Sequence, residues 1–216
     1  GVPFERHEGD DRQIEGRMKA IILLNGEPYR GAIAEGYVYC CDGAYKWAKD
    51  KVRIDENLGD YDSLPIIPTP APKEIYPSEK NETDGEIALH RAIAAGATSI
   101  TIYGGGGARE DHFLGNLHLL YAAHKKGVRA EMITNYSRIF AGEGLITIDG
   151  CKGKTLSVLP FGGDVRVRES GGLKYPLHEL ELCYGTTRGI SNIALEDEAY
   201  LLSEGTVLIM IDAEAV

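Results

Sequence analysis

The sequence predicts a chain in two parts: a doubly wound parallel α/β domain over residues 18–137, then an antiparallel β-sandwich over residues 138–216. Two observations lead there. Up to about Tyr136, apolar strands alternate with amphipathic helices, the grammar of a parallel sheet. Beyond that point the helical period vanishes, and short β-rich runs are punctuated by glycine pairs and Gly-Asp turns, as in a sandwich or partly closed barrel. Two architectures in one chain also imply a cleft between them, a favoured place for a ligand.

The elements follow in order. "KAIILLNG" is a buried strand running into Gly26, and "GYVYCCDG" is a second one ending at Asp42. Residues 44–49 fit a short helix. "TDGE" pairs Thr83 with Glu86 as a capping box and opens a helix carrying Leu89, Ala92, Ile93 and Gly96 on one face. "SITIYGGG" is a strand that breaks into glycines. The helix after it places Phe113, Leu117, Leu120, Tyr121 and His124 on one face and has Gly127 where a C-terminal cap belongs. "RAEMITN" is a further strand. In the second part, "LITIDG", "TLSVLPFGG", "VRVRES", "AYLLSEG" and "TVLIMID" read as strands. The segment "SLPIIPTPAPKEIYP" is a Pro-rich loop. Residues 1–17 are polar and aperiodic, and they close on "IEGR", which resembles a factor Xa recognition site; the segment reads equally as an appended leader or a natural flexible extension.

Bulk properties exclude several classes. The 216 residues, 43% hydrophobic and 26% charged, are ordinary for a soluble globular protein. A formal net charge of −10 argues against nucleic-acid binding. It leaves room for an anionic small ligand, because a metal ion or one arginine can reverse the field locally. No apolar run approaches the ~20 residues of a membrane span. Cys40, Cys41, Cys151 and Cys183 lack C-x-x-C spacing and read as reduced thiols of a cytoplasmic protein.

Carboxylates mark the ends of the apolar segments. Asp42 follows the second strand, Asp84 opens a helix, and "GDYDS" sets Asp60 and Asp62 two residues apart, on one side of an extended chain. Two such charges repel unless a divalent cation sits between them. In open α/β sheets ligands bind beyond the carboxyl ends of the strands, so these acids and Gly104–Gly107 converge on one crevice.

"YGGGGAREDHFLGN" adds the means of holding a phosphate. Consecutive glycines allow close backbone approach, the following helix points its positive end at the same place, and Arg109 can fork onto phosphate oxygens. The run is neither a Walker A loop nor G-x-G-x-x-G with a distal acid. Taken singly, Asp42 reads as a turn residue, Asp84 as a helix-start acid, and His112 as structural.

Jointly and in this order, the motifs resemble the thiamine pyrophosphokinase family. The likeness runs through "DGA" (Asp42 to Ala44), "GDYDS" (Gly59 to Ser63), "EKNETD" (Glu79 to Asp84), "GGGGAREDHFLGNL" (Gly104 to Leu117), "GGLKYPL" (Gly171 to Leu177) and "GISN" (Gly189 to Asn192). It implies transfer of pyrophosphate from ATP to thiamine, giving thiamine diphosphate and AMP, in a homodimer with the site at the subunit interface. By resemblance, Asp60, Asp62, Asp84, Arg109 and Asp111 are catalytic, with Asp60, Asp62 and Asp84 holding Mg²⁺. ATP would meet Asp42, Gly43, Ser63, Thr83, Gly104, Gly105, Gly106, Gly107 and Arg109. Thiamine would meet Ser170, Tyr175, Ser191 and Asn192, Tyr175 standing where some members carry Trp. Two other classes share parts of the pattern. A metal-dependent nucleotide-sugar glycosyltransferase would also use an Asp-x-Asp pair but leaves "AREDHFLGN" and "GLKY" unexplained, and a non-catalytic nucleotide or thiamine sensor would need the fold without the acids.

Overall fold

The computed structural model describes residues 13–14, 17–60, 67–72 and 81–215. Five strands form a parallel array: β2 (Arg17–Leu23), β3 (Tyr37–Cys41), β4 (Glu56–Leu58), β5 (Ala97–Tyr103) and β6 (Arg129–Ile133). Their spatial order is β4-β3-β2-β5-β6. A two-residue strand, β1 (Gln13–Ile14), pairs antiparallel with the start of β2, Gln13 opposite Met18. The connections carry α1 (Tyr45–Ala48), α2 (Asp84–Ala94) and α3 (Glu110–Lys125).

The unbroken apolar run of β2 follows from burial on both faces. Ala20 and Ile22 pack with Leu89 and Ala92 of α2 and Leu117 and Leu120 of α3. Ile21 and Leu23, pointing the other way, pack with Val38, Cys40 and the α1 residues Tyr45 and Ala48. Helix α2 starts as its capping box predicts, the Thr83 hydroxyl accepting from the Glu86 amide at 3.2 Å. Helix α3 is closed by Gly127, whose φ of 72° is a left-handed conformation that glycine adopts without strain.

Strand β4 lies in "RIDENLG", where charge hides the strand from a hydropathy reading. Its charges are spent internally. The buried Glu56 pairs with Arg91 of α2, and the Asp55 carboxylate accepts from the Val38 amide at 2.9 Å. Tyr39, beside Glu56, has its phenol pushed up to about 12, chiefly by burial and then by the Glu56 charge.

The second half is antiparallel and contains β7 (Ser137–Asp149), β8 (Lys154–Pro160), β9 (Val165–Gly171), β10 (Leu180–Leu182), β11 (Asn192–Ile193) and β12 (Glu198–Ala215). "AYLLSEG" and "TVLIMID", expected as two strands, are the two arms of β12. What reads as a turn between them is a bulge around Gly205, whose φ is 101°. Strand β12 pairs with β7 along its length; on its other edge it takes β9 before the bulge and β8 after it. That change of partner folds the strands around a core of their own, built from Ile148, Leu156, Val158, Val167, Leu201 and Ile209. Because β7 also pairs with β6, the described strands join one mixed, mostly-strand sheet rather than two separate ones.

Candidate functional site

Strand order reverses between β2 and β5. The chain leaves β2 toward β3, whereas β5 leads to β6 on the opposite side, so the loops after the two strands part and leave a crevice. A cleft of about 300 Å³ occupies it. Its walls are Leu24, Asn25 and Gly26 after β2; Cys41 and Asp42 after β3; Thr83, Asp84 and Gly85 at the start of α2; and Gly104–Gly106, Ala108, Arg109, His112 and Asn116 from the glycine run and α3. The starts of α2 and α3 therefore face one space, and both favour an anion there.

The glycine run is fixed through its carbonyls. Gly104 accepts from the Gly26 amide at 2.8 Å, Gly106 from the Glu27 amide at 2.7 Å, and Gly105 from Nδ2 of Asn116 at 2.8 Å. Glycine is required by contact. A Cβ on Gly104, at φ 71°, would fall on the Leu24 carbonyl oxygen, and one on Gly26 would fall on the carbonyl oxygen of Gly104. Among the described residues, the amides of Gly105, Gly106 and Gly107 donate to no acceptor. Acceptors are thus occupied and donors remain, the polarity of an anion cradle.

Asp42 lies where β3 ends, at φ 41°, a left-handed conformation that costs an aspartate energy and is typical of functional turns. Gly59 packs directly on it, a Cβ there lying 3.0 Å from the Asp42 Cβ, so Asp60 belongs to the same corner although it does not line the cleft. Asp84 is the first residue of α2, and its carbonyl accepts from the Cys41 thiol at 3.5 Å. Burial, with help from the Asp42 charge, pushes the neighbouring Cys40 thiol up to about 12. Gly43 sits behind the Asn25 side chain, outside the wall. Asp62 and Ser63 lie outside the described residues.

Arg109 precedes α3 and meets Asp111 in a two-point ion pair, Nε to Oδ1 at 3.1 Å and Nη2 to Oδ2 at 2.6 Å. The hydrogen bond from Arg109 holds the Asp111 carboxyl below its usual range. Asp111 and Gly107 do not line the cleft; Asp111 acts on it through Arg109. His112, expected to be structural, lines the cleft, as do Asn25 and Asn116. A signal for the last was present: 109, 112 and 116 share one helical face.

Ser170, Tyr175 and Asn192 gather at a different place. The buried Asn192 accepts from the Tyr175 amide at 3.0 Å and the Ile193 amide at 2.9 Å, and it donates to the Tyr175 carbonyl at 2.6 Å. The Ser170 hydroxyl accepts from the Leu177 amide at 2.8 Å. Ser191, at φ 62°, donates its amide to the Ser157 hydroxyl at 3.1 Å. These bonds pin the loop 172–177 and hold the Tyr175 ring at the surface, 56% exposed, with Lys174 Nζ 5.5 Å from its centroid. Among the described residues, none of this cluster lines the cleft at the switch point.

Fold and site together define an α/β protein with an acid-lined crevice at its switch point, faced by two helix N-termini and by glycine amides, and extended by an antiparallel β half. Two family models match the chain: thiamin pyrophosphokinase, catalytic domain, over residues 33–132, and thiamin pyrophosphokinase, vitamin B1 binding domain, over residues 145–205. A thiamine pyrophosphokinase of Bacillus subtilis is 34% identical over 165 residues, 72% of this chain and 77% of that one. The crystal structure of thiamine pyrophosphokinase from Bacillus subtilis superposes with a TM-score of 0.80 at 26% identity, covering 92% of this chain and 100% of that one. Yeast thiamin pyrophosphokinase, 16% identical with a TM-score of 0.68 over 92% of this chain and 87% of its own, shares the fold. The chain belongs to the thiamin pyrophosphokinase family.

Proposed function

We propose that this chain transfers the pyrophosphoryl group of ATP to the hydroxyl of thiamine, yielding thiamine diphosphate and AMP. One observation carries the ATP half: a glycine run, buried at Gly104–Gly106, whose three buried carbonyls are occupied by internal donors while, among the described residues, the amides of Gly105, Gly106 and Gly107 are not engaged. Such a loop suits the phosphates of a nucleotide. The 3-2-1-4-5 order of the parallel strands, with apolar packing on both faces, supports reading residues 18–137 as a doubly wound nucleotide-binding domain. Residues 138–216, which hold the cluster around Tyr175, then form the thiamine-binding domain.

The donor set on the cleft fits Mg²⁺. Asp42 and Asp84 face the crevice and Asp60 stands at its corner, and hard carboxylate oxygens are what this ion takes. Asp60 and Asp84, with Asp62, would hold the ion, which would shield the charge of the triphosphate. Arg109, pre-oriented by Asp111, would neutralise charge on the transferred group. Chemistry of this kind is mostly positioning and electrostatics.

Since the Tyr175 cluster does not line the cleft of its own chain, a homodimer in which one protomer supplies thiamine contacts to its partner's cleft accounts for both. The free thiols, three of the four buried, suit a reducing cytoplasm. Phosphorus NMR of a reaction containing ATP, Mg²⁺ and thiamine tests the reading. Thiamine diphosphate and AMP are expected; ADP with thiamine monophosphate would show a simple kinase and overturn it.

A further inference from the structure

The carbonyls of Gly104, Gly105 and Gly106 are not all held in the same way. Gly104 and Gly106 are held by amides of residues 26 and 27, which continue the β2–β5 pairing past the strand ends. Gly105 is held by a side chain, Nδ2 of Asn116, reaching across from the second turn of α3. Gly105 also packs against Met132 of β6, whose sulfur would collide with an added Cβ. The peptide between Gly105 and Gly106 is therefore held by contacts from a helix and a strand, with one polar bond from Asn116 to the Gly105 carbonyl setting its rotation.

We propose that Asn116 is a positioning residue for phosphate binding: it sets the direction of the Gly106 amide and ties the glycine run to the helix that carries Arg109. In a planar trans peptide the C=O and the following N–H point in opposite directions. By drawing the Gly105 carbonyl toward α3, Asn116 turns the Gly106 N–H away from the helix body. Glycine has the largest conformational freedom to lose, so a loop of four glycines does not keep such an orientation unaided. The bond also makes one rigid unit of the run and the Arg109–His112–Asn116 face, so the amides and the guanidinium keep a fixed separation. The role rests on the phosphate-binding reading of the cleft, whereas the clamp itself does not.

The test uses two variants of the full chain. Asn116→Leu keeps the branching at Cγ and loses the donor; Asn116→Asp keeps the shape and faces the Gly105 carbonyl with an acceptor. Backbone order parameters of Gly105, Gly106 and Gly107 are measured without ligand by nitrogen relaxation on glycine-labelled protein. ATP and thiamine are then titrated separately, and KM for each substrate is compared with kcat. Both variants should lower the order parameters from the rigid range near 0.85 toward 0.6. Both should weaken ATP binding at least tenfold while moving the thiamine KM less than twofold. Glycine amides as rigid as in the parent overturn the clamp, and so does an equal loss for both substrates. Should the parent itself fail to bind ATP while the variants still loosen the run, the nucleotide reading falls and the clamp stands.

Discussion

Asn192→Ala is the most informative perturbation of the second half, because one buried side chain there supports an exposed ring proposed to meet the substrate. Asn192 is 3% exposed and makes three hydrogen bonds, two accepted from the amides of Tyr175 and Ile193 and one donated to the Tyr175 carbonyl. Neutral bonds of this kind contribute about 1 kcal/mol each, and a group left buried without a partner costs about 1–3 kcal/mol. Tyr175 lies near enough to water for its backbone to be partly re-solvated, so the expected loss is about 2–4 kcal/mol. Urea unfolding followed by circular dichroism measures it. Tyr175→Ala is the paired control: its ring is 56% exposed, so stability should move by less than about 0.5 kcal/mol. Thiamine binding should weaken in both variants, and ATP binding should change in neither. A stability loss below about 1 kcal/mol in Asn192→Ala would show that these bonds do not hold the loop. Unchanged thiamine affinity in both variants would remove this cluster from the substrate site.

Three further outcomes are expected. Gly104→Ala places a Cβ on the Leu24 carbonyl oxygen at φ 71°; it should cost about 1–3 kcal/mol in urea unfolding and weaken ATP binding. A colorimetric thiol titration of the native protein near pH 8 should find Cys183 alone reacting quickly, since Cys40, Cys41 and Cys151 are buried and burial pushes the Cys40 thiol up to about 12; four thiols should react in denaturant. Glu143 is held below its ordinary 4.5 by hydrogen bonds from Lys125 and Thr206, so its contribution is present above that pH and lost as pH falls through the lower folded value; Glu143→Gln should flatten the decline of Tm across that acid window.

Elements whose burial is decided locally were legible in the sequence. Strand β2 declares itself as an apolar run because both its faces are covered, and α2 because Thr83 and Glu86 sit three residues apart. Strand β4 was hidden because what makes Glu56 tolerable inside is Arg91, on a helix thirty-five residues later. The two-residue β11 carries no period of its own; it exists because Asn192 and Ile193 lie opposite Leu156 and Thr155. Strand β12 was read as two because Gly205 looks like a turn, and only its continuous pairing with β7 makes it a bulge.

The same division runs through the site. Asp42, Asp84 and the glycines were legible because strand ends in a parallel sheet must open on one edge, whatever the rest of the chain does. Asn25 and Asn116 were not singled out and His112 was read as structural, since a side-chain amide or imidazole beside a loop is unremarkable until its partner is known. Asn116 gains its meaning from the Gly105 carbonyl, eleven residues back, and that carbonyl faces it because residues 26 and 27 already hold the glycines on either side. The carboxylates mark the crevice; the side-chain amides lie beside the backbone that lines it, and only the fold brings the two sets to one wall.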